Sequence, residues 1–233
     1  MTEEEAQGWL RERGWWEGTI GNRLRQLVGL VLEEADRQNL ISAASRDSIW
    51  ARHLVDSAQL FPMIDGARID EAAPWVDLGT GAGFPGLVIA CLSNRPMKLV
   101  EVRPLRVDFL ARCVDAMGLT HVEVCGVKVE KALFEVPAGI ISARAYAPLD
   151  RLLASASHLS DENTLWLLPK GRQGENELEI VRHDWQAVFH VEQSITSPES
   201  VIVTIQQLRR AAPPNRQGSH AGRKRSLRAR NRP

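Results

Sequence analysis

Cysteine is scarce in this sequence, and long apolar runs are missing. The 233 residues contain three cysteines, Cys91, Cys113 and Cys125. The number is odd and each lies in an apolar stretch. That excludes a disulfide framework and marks the three as small buried hydrophobes of a reducing compartment. The longest uncharged run, residues 78–94, holds four glycines and a proline, so it suits no membrane span and no membrane partner is expected. The opening Thr2-Glu3-Glu4-Glu5 has neither a basic flank nor an apolar segment, so no secretory signal is expected and the location should be cytoplasmic. Histidine and cysteine show no metal-ligand spacing, and no metal is expected. Glycine and proline together number 29, near average usage, which excludes a low-complexity or collagen-like chain.

What is present is ordinary for a globular protein: 44% hydrophobic and 25% charged residues. The formal net charge of zero hides a split. Residues 209–233 carry nine Lys/Arg and no acid, which leaves 20 basic and 29 acidic groups in residues 1–208, a net of −9. A basic tail on an acidic body fits a polyanionic partner, or else a merely solvated end.

The first part reads as helical. Thr2 and Glu5 have capping-box spacing. Between residues 20 and 35, Leu24, Leu27, Val28, Val31, Leu32 and Ala35 share one helix face. A third helix is expected over 47–61, stopped by Pro62. After Pro74 the pattern changes to short strands at 75–78, 97–101, 122–125, 139–142 and 164–168. Helices are expected between them at 87–92, 105–117 and 149–159, with another at 175–181. Two last strands, 185–192 and 201–207, face each other across a turn rich in Ser, Thr and Pro. The alternation predicts an α/β fold: a doubly wound, seven-stranded sheet ending in an antiparallel hairpin.

The strongest local signal is Val76-Asp77-Leu78-Gly79-Thr80-Gly81-Ala82-Gly83-Phe84-Pro85-Gly86, which follows a strand and opens a helix. Gly79, Gly81 and Gly83 let the chain turn tightly and approach a ligand, and the helix start offers free amides. Glu101 ends the second strand, 20 residues beyond Gly81. Neighbouring strand ends lie side by side, so this carboxylate can reach the ribose of an adenosine-bearing ligand. A nicotinamide dinucleotide and S-adenosylmethionine both have one. No histidine falls at a strand end within 75–168, where a dehydrogenase would want its proton-transfer group, and the terminal hairpin favours the methyl donor.

Residues 39–171 resemble the bacterial small-subunit ribosomal RNA methyltransferase G family, also called glucose-inhibited division protein B. The likeness rests on Asn39-Leu40-Ile41-Ser42 with Arg52-His53-Leu54-Val55-Asp56-Ser57, on the loop ending Phe84-Pro85-Gly86, on Val129-Glu130 with Ser142-Ala143-Arg144-Ala145, and on Pro169-Lys170-Gly171. The resemblance implies a class I, Rossmann-like methyltransferase domain over 67–208, an N-terminal helical extension over 1–66 and a basic, unstructured tail over 209–233. It implies that Gly79, Phe84, Val129, Glu130 and Arg144 contact S-adenosylmethionine, beside the Gly81, Gly83 and Glu101 read from the loop itself. It implies as target one guanine, nucleotide 527, in the decoding-region loop of 16S rRNA. The partner would then be 16S rRNA or a small-subunit assembly particle, met by a monomer. The family commonly has Asp where Glu101 stands, and the tail lies outside its core.

Chemically, Pro-Cys is absent, as is the Asn/Asp-Pro-Pro-aromatic stretch used on exocyclic amines. Guanine N7 has a lone pair and no proton, so methylating it needs no general base. Orientation alone can supply about 7–11 kcal/mol of such a barrier. No general base is therefore expected, and Arg144 is the candidate for positioning. Arg52, His53 and Lys170 are candidate RNA contacts, although His53 lies on an apolar helix face, where a core histidine is the safer reading. Two other functions remain open: a non-catalytic RNA-binding protein with a vestigial nucleotide fold, and a methyltransferase acting on small molecules or proteins.

Overall fold

A computed structural model describes residues 1–211 of the chain, so most of the expected unstructured tail lies outside the described residues. Seven strands form one sheet: β1 Trp75–Leu78, β2 Met97–Val100, β3 Val122–Cys125, β4 Ile140–Ser142, β5 Leu165–Lys170, β6 Trp185–Gln193 and β7 Val201–Arg210. Their order is β3-β2-β1-β4-β5-β7-β6. β1 to β5 run parallel, and β7 enters antiparallel between β5 and β6. The order of strands reverses at β1, with β2 and β3 laid on one side and β4 and β5 on the other, and open sheets of this kind bind ligands at the carboxyl ends beside such a reversal. The hairpin is as expected, but β7 is longer than the sequence suggested. It takes in Arg209 and Arg210, the first two cations assigned to the tail, and Arg210 lies over the Trp185 ring at 4.6 Å.

Among the described residues, eight α-helices accompany the sheet: α1 Glu3–Glu12, α2 Gly18–Glu34, α3 Ala43–Arg46, α4 Asp56–Ala58, α5 Gly86–Leu92, α6 Pro104–Met117, α7 Leu149–Ala156 and α8 Gly174–Val181. The Thr2–Glu5 capping box is formed, with the Glu5 amide donating to Thr2 Oγ1 and the Thr2 amide to Glu5. The apolar stripe of α2 is buried on α5 and α6 through Leu24, Leu27 and Val31. Arg23 and Gln26 on the same helix donate to the carbonyls of Ala116, Met117 and Gly118, which would otherwise be orphaned at the end of α6. One apolar core therefore runs from α1 and α2 through α5 and α6 to the sheet. A second core lies on the other face, under α7 and α8.

The single helix expected over 47–61 is divided. Residues Trp50–Val55 make a π-helical turn between α3 and α4, and the Asp56 amide donates to the Ala51 carbonyl five residues back. The extra residue per turn broadens the inward face, so that Ala51, Leu54, Val55, Ser57 and Ala58 are all buried. A period of 3.6 cannot express this, and single π turns occur mostly at functional sites.

Because α2 shares its core with the sheet, it should not melt on its own. Leu27→Ala truncates a side chain with no exposed surface and should cost about 2–5 kcal/mol of global stability. Urea unfolding followed by both circular dichroism and tryptophan fluorescence should give coincident transitions. Separate transitions would make the helical extension an independent unit.

Candidate active site

The site begins with a carboxylate buried in the sheet. Asp77, one residue from the end of β1, is wholly buried. Its Oδ1 accepts from Ser142 Oγ at 2.6 Å; its Oδ2 accepts from the Gly86 amide at 3.0 Å and from Thr80 Oγ1. Trp75 Nε1 donates to Ser142 Oγ at 2.9 Å, which fixes the serine proton on Asp77. Burial pushes the Asp77 carboxyl up to about 6, against the pull of Ser142, Thr80, the Gly86 amide and Arg144. The glycine loop is thus tied at both ends to β1 and β4. The amide that opens α5, expected to be free for a ligand, is taken by Asp77.

The loop glycines serve different ends. A Cβ at Gly79 would strike the Tyr146 ring, one at Gly83 would strike Leu87, and one at Gly86 would strike Leu99. Packing keeps these positions glycine, together with a positive φ at Gly79 (+62°) and Gly83 (+92°). Gly81, with φ +60°, is the one that faces outward: a Cβ there would meet nothing nearer than Arg106 Nη1 at 3.5 Å. Beside it stands Glu101, 5% exposed. Glu101 Oε1 accepts the amides of Val102 (2.8 Å) and Arg103 (2.9 Å), and Oε2 accepts the Gly81 amide at 3.1 Å. Each carboxylate oxygen has two lone pairs, so one place remains, on Oε2, for a ligand hydroxyl. Arg106 Nη1 lies 3.8 Å from that oxygen. An outward-facing glycine at a carboxylate with one open acceptor position fits the ribose of an adenosyl cofactor.

Arg144 follows β4 and turns toward the π turn. Its Nη1 donates to the Arg52 carbonyl (3.0 Å) and to Asp56 Oδ2 (3.1 Å), and its Nη2 donates to His53 Nδ1 (2.8 Å). The guanidinium also lies 5.3 Å from the centre of the Phe84 ring, on which the His53 ring stacks at 4.9 Å. Arginine can only donate, so His53 Nδ1 accepts and the ring proton sits on Nε2, which is buried and meets no partner among the described residues. Burial, then the charges of Arg144 and Arg52, push the imidazole down to about 3. His53 is thus half-buried, held between the Phe84 ring and the Arg144 guanidinium.

The remaining expected residues are spread along the carboxyl edge of the sheet. Val129 is buried and Glu130 exposed in a 3₁₀ turn, Val129–Lys131, beyond β3. Arg52 is exposed and forms no ion pair among the described residues. Lys170, at the end of β5, is nearly covered and donates to the Ala147 carbonyl and to Glu177, each at 2.9 Å. Of the cysteines, Cys91 and Cys113 are buried as expected. Cys125 is only partly covered, because β3 is an edge strand. A cavity of about 570 Å³ opens on this edge, with Arg144, Tyr146, Lys170 and Glu177 in its wall. Ala145 reaches it with φ +53°, a strain of about 1–3 kcal/mol of the kind kept at functional sites.

Asp77, Asp56, Tyr146 and Glu177 were not singled out from sequence. For Asp77 a signal was there: an acid inside a buried strand, three residues before a threonine and at the mouth of the glycine loop. Asp56 stood within the Arg52–Ser57 motif. It accepts from Arg144, Gln59 and Thr196, and so joins the helical extension to the β6–β7 turn.

A doubly wound sheet with a terminal antiparallel hairpin, a glycine loop after β1 and an acid after β2 defines an S-adenosylmethionine-dependent methyltransferase of class I. Solved structures share the fold. A glycopeptide N-methyltransferase in complex with S-adenosylmethionine aligns with a TM-score of 0.54 at 11% identity, over 66% of this chain and 94% of that one. An S-adenosylmethionine-dependent methyltransferase from Aquifex aeolicus aligns at 0.52 and 15% identity, over 69% and 93%. Sequence similarity goes further. The family model for rRNA small subunit methyltransferase G matches residues 20–205. Proteins named ribosomal RNA small subunit methyltransferase G are 47% identical in Rhizorhabdus wittichii, over 89% of this chain and 94% of that protein, and 47% identical in Novosphingobium aromaticivorans, over 87% of each. The chain belongs to the rRNA small subunit methyltransferase G family.

The two shifted groups make opposite contributions to stability. His53 is held below its ordinary 6.5. The unfolded chain therefore binds a proton that the fold refuses, and stability falls as pH drops from 6.5 toward 3. Asp77 is held above its ordinary 3.8. The fold keeps a proton that the unfolded chain has lost, and stability falls as pH rises from about 4 through 6. His53→Phe should therefore flatten the loss of stability between pH 6.5 and 4.5, and Asp77→Asn should steepen it, in urea titrations at the two pH values. Asp77→Asn should also cost about 1–3 kcal/mol by facing an amide against buried donors.

Proposed function

We propose that this chain transfers a methyl group from S-adenosylmethionine to N7 of one guanine in small-subunit ribosomal RNA, at the family's site in the 16S decoding-region loop. Glu101 Oε2 takes a ribose hydroxyl beside the open face of Gly81, and Val129 and Glu130 lie on the adenine side. The cofactor supplies an electrophilic methyl group. Arg144 acts as a positioning residue, locking the end of β4 to the π turn so that the loop and the cavity keep one geometry.

The observation that carries the N7 assignment is that, among the described residues, the cavity holds no activated nucleophile, and its carboxylates Asp56 and Glu177 are each paired with a cation, Arg144 and Lys170. The Asp56 carboxylate is already engaged by three side chains. The His53 imidazole, taken by Arg144 and held near 3, is a feeble base at neutral pH. Burial raises the thiols of Cys91 and Cys113 to about 12 and that of Cys125 to about 11, and none of them lines the cavity. Carbon and exocyclic-amine methylation need an activated nucleophile or proton removal; the N7 lone pair needs neither. Guanine and the methyl donor have only to be aligned.

Turnover should accordingly vary little with pH above 7, where Asp77, raised to about 6, is already ionised and no proton has to be removed from N7. RNA treated with enzyme and labelled cofactor, then with borohydride and aniline, should break at a single 7-methylguanosine. Label without scission would put the methyl on another atom, and no label at all would leave an RNA-binding protein. Gly81→Val should abolish cofactor binding in calorimetry, because its side chain would fill the open space beside Glu101.

A further inference from the structure

We propose that Lys170 and Glu177 form the reader that selects guanine over adenine; the inference rests on the N7 reading above and extends it to the base pocket. The two side chains stand together in the cavity wall, with Lys170 Nζ 2.9 Å from Glu177 Oε2. Each is anchored from the same side. Lys170 also donates to the Ala147 carbonyl beyond β4, and Glu177 Oε2 also accepts the Leu149 amide at 2.8 Å. Glu177 Oε1 accepts from nothing among the described residues. The pair therefore offers a cationic donor next to an open anionic acceptor, on a wall that Tyr146 connects to the cofactor loop by packing against Gly79.

Guanine matches this order and adenine does not. A guanine whose N7 faces the cofactor carries O6 next to N7 and the N1–H and N2–H₂ donors beyond it. Sheet order places the cofactor loop after β1, then β4, then β5, and α8 follows β5 in the chain and packs on α7 and β7. Lys170 at the end of β5 then meets O6, and Glu177 on α8 meets N1–H and N2–H₂. Adenine held with N7 in the same place would set its N6 donors against the ammonium and an N1 lone pair against the carboxylate. Glu177 has a second effect: methylation leaves the purine cationic, and a nearby carboxylate favours that charge. Lys170 was expected to touch RNA. In this arrangement it does so at the base and not at the backbone.

Glu177→Gln separates this role from a structural one. The glutamine oxygen must face Lys170 and the Leu149 amide, since both donate. Its NH₂ then takes the place of Oε1 and opposes the guanine donors. The internal contacts survive and only the atom shown to the base changes. Small subunits from cells lacking this methylation serve as substrate, alongside subunits whose target guanine is replaced by adenine. Wild-type enzyme should yield 7-methylguanosine on the first and nothing on the second; failure at this step counts against the N7 reading. If the pair reads the base, Glu177→Gln should lower kcat/KM on the guanine substrate about 10–100-fold, a range typical of one good base contact. Its cofactor affinity and melting temperature should be unchanged, and Lys170→Met should narrow the guanine-to-adenine ratio. Wild-type kcat/KM in Glu177→Gln, or a loss matched by lost cofactor binding or a lower melting temperature, would overturn the proposal.

Discussion

The site depends on one buried carboxylate. Asp77 holds the loop because three donors from three segments converge on it: Thr80 inside the loop, the Gly86 amide at its end and Ser142 on the neighbouring strand. A charge taken out of water is costly unless hydrogen bonds replace the lost hydration. Here they do, and the cost of leaving any one of them unmade keeps the loop in a single conformation. Ser142 is held in turn by Trp75, so the network crosses β1 and β4 and becomes part of the sheet. Glu101 repeats the device on the other side of the loop, gripping three backbone amides and keeping one acceptor position open.

Arg144 extends this rigidity to the helical segment. From sequence the N-terminal helices are expected to stand apart, as an extension over 1–66. Here their apolar faces belong to the same core as α5 and α6, and their polar groups at the π turn meet Arg144, while Asp56 joins the β6–β7 turn. Truncating that segment would expose the α5–α6 face and remove three acceptors from Arg144 together.

The periodic features were legible in the sequence. Strand and helix positions followed from apolar runs and 3.6-residue spacing, and the glycine loop with Glu101 located the cofactor side. What escaped was set by topology. Ser142 reaches Asp77 across 65 residues, and Arg144 reaches Asp56 across 88; no local pattern encodes either pairing. The π turn escaped because its broadened face blurs helical spacing. The loop glycines were read as one group serving a ligand, whereas Gly79, Gly83 and Gly86 answer to Tyr146, Leu87 and Leu99. Only folded packing tells these apart from Gly81.

The reversed direction of β7 has a geometric consequence. β7 starts beside the end of β5, where Val201 pairs with Lys170 at the cavity, and runs away from it to Arg210. Ten residues of strand carry the chain about 30 Å, and the Ala211 amide then bonds the Asp184 carbonyl at the start of β6. Arg209 and Arg210 are thus held at the end of the hairpin opposite the one that meets the cavity, about a strand's length away from it.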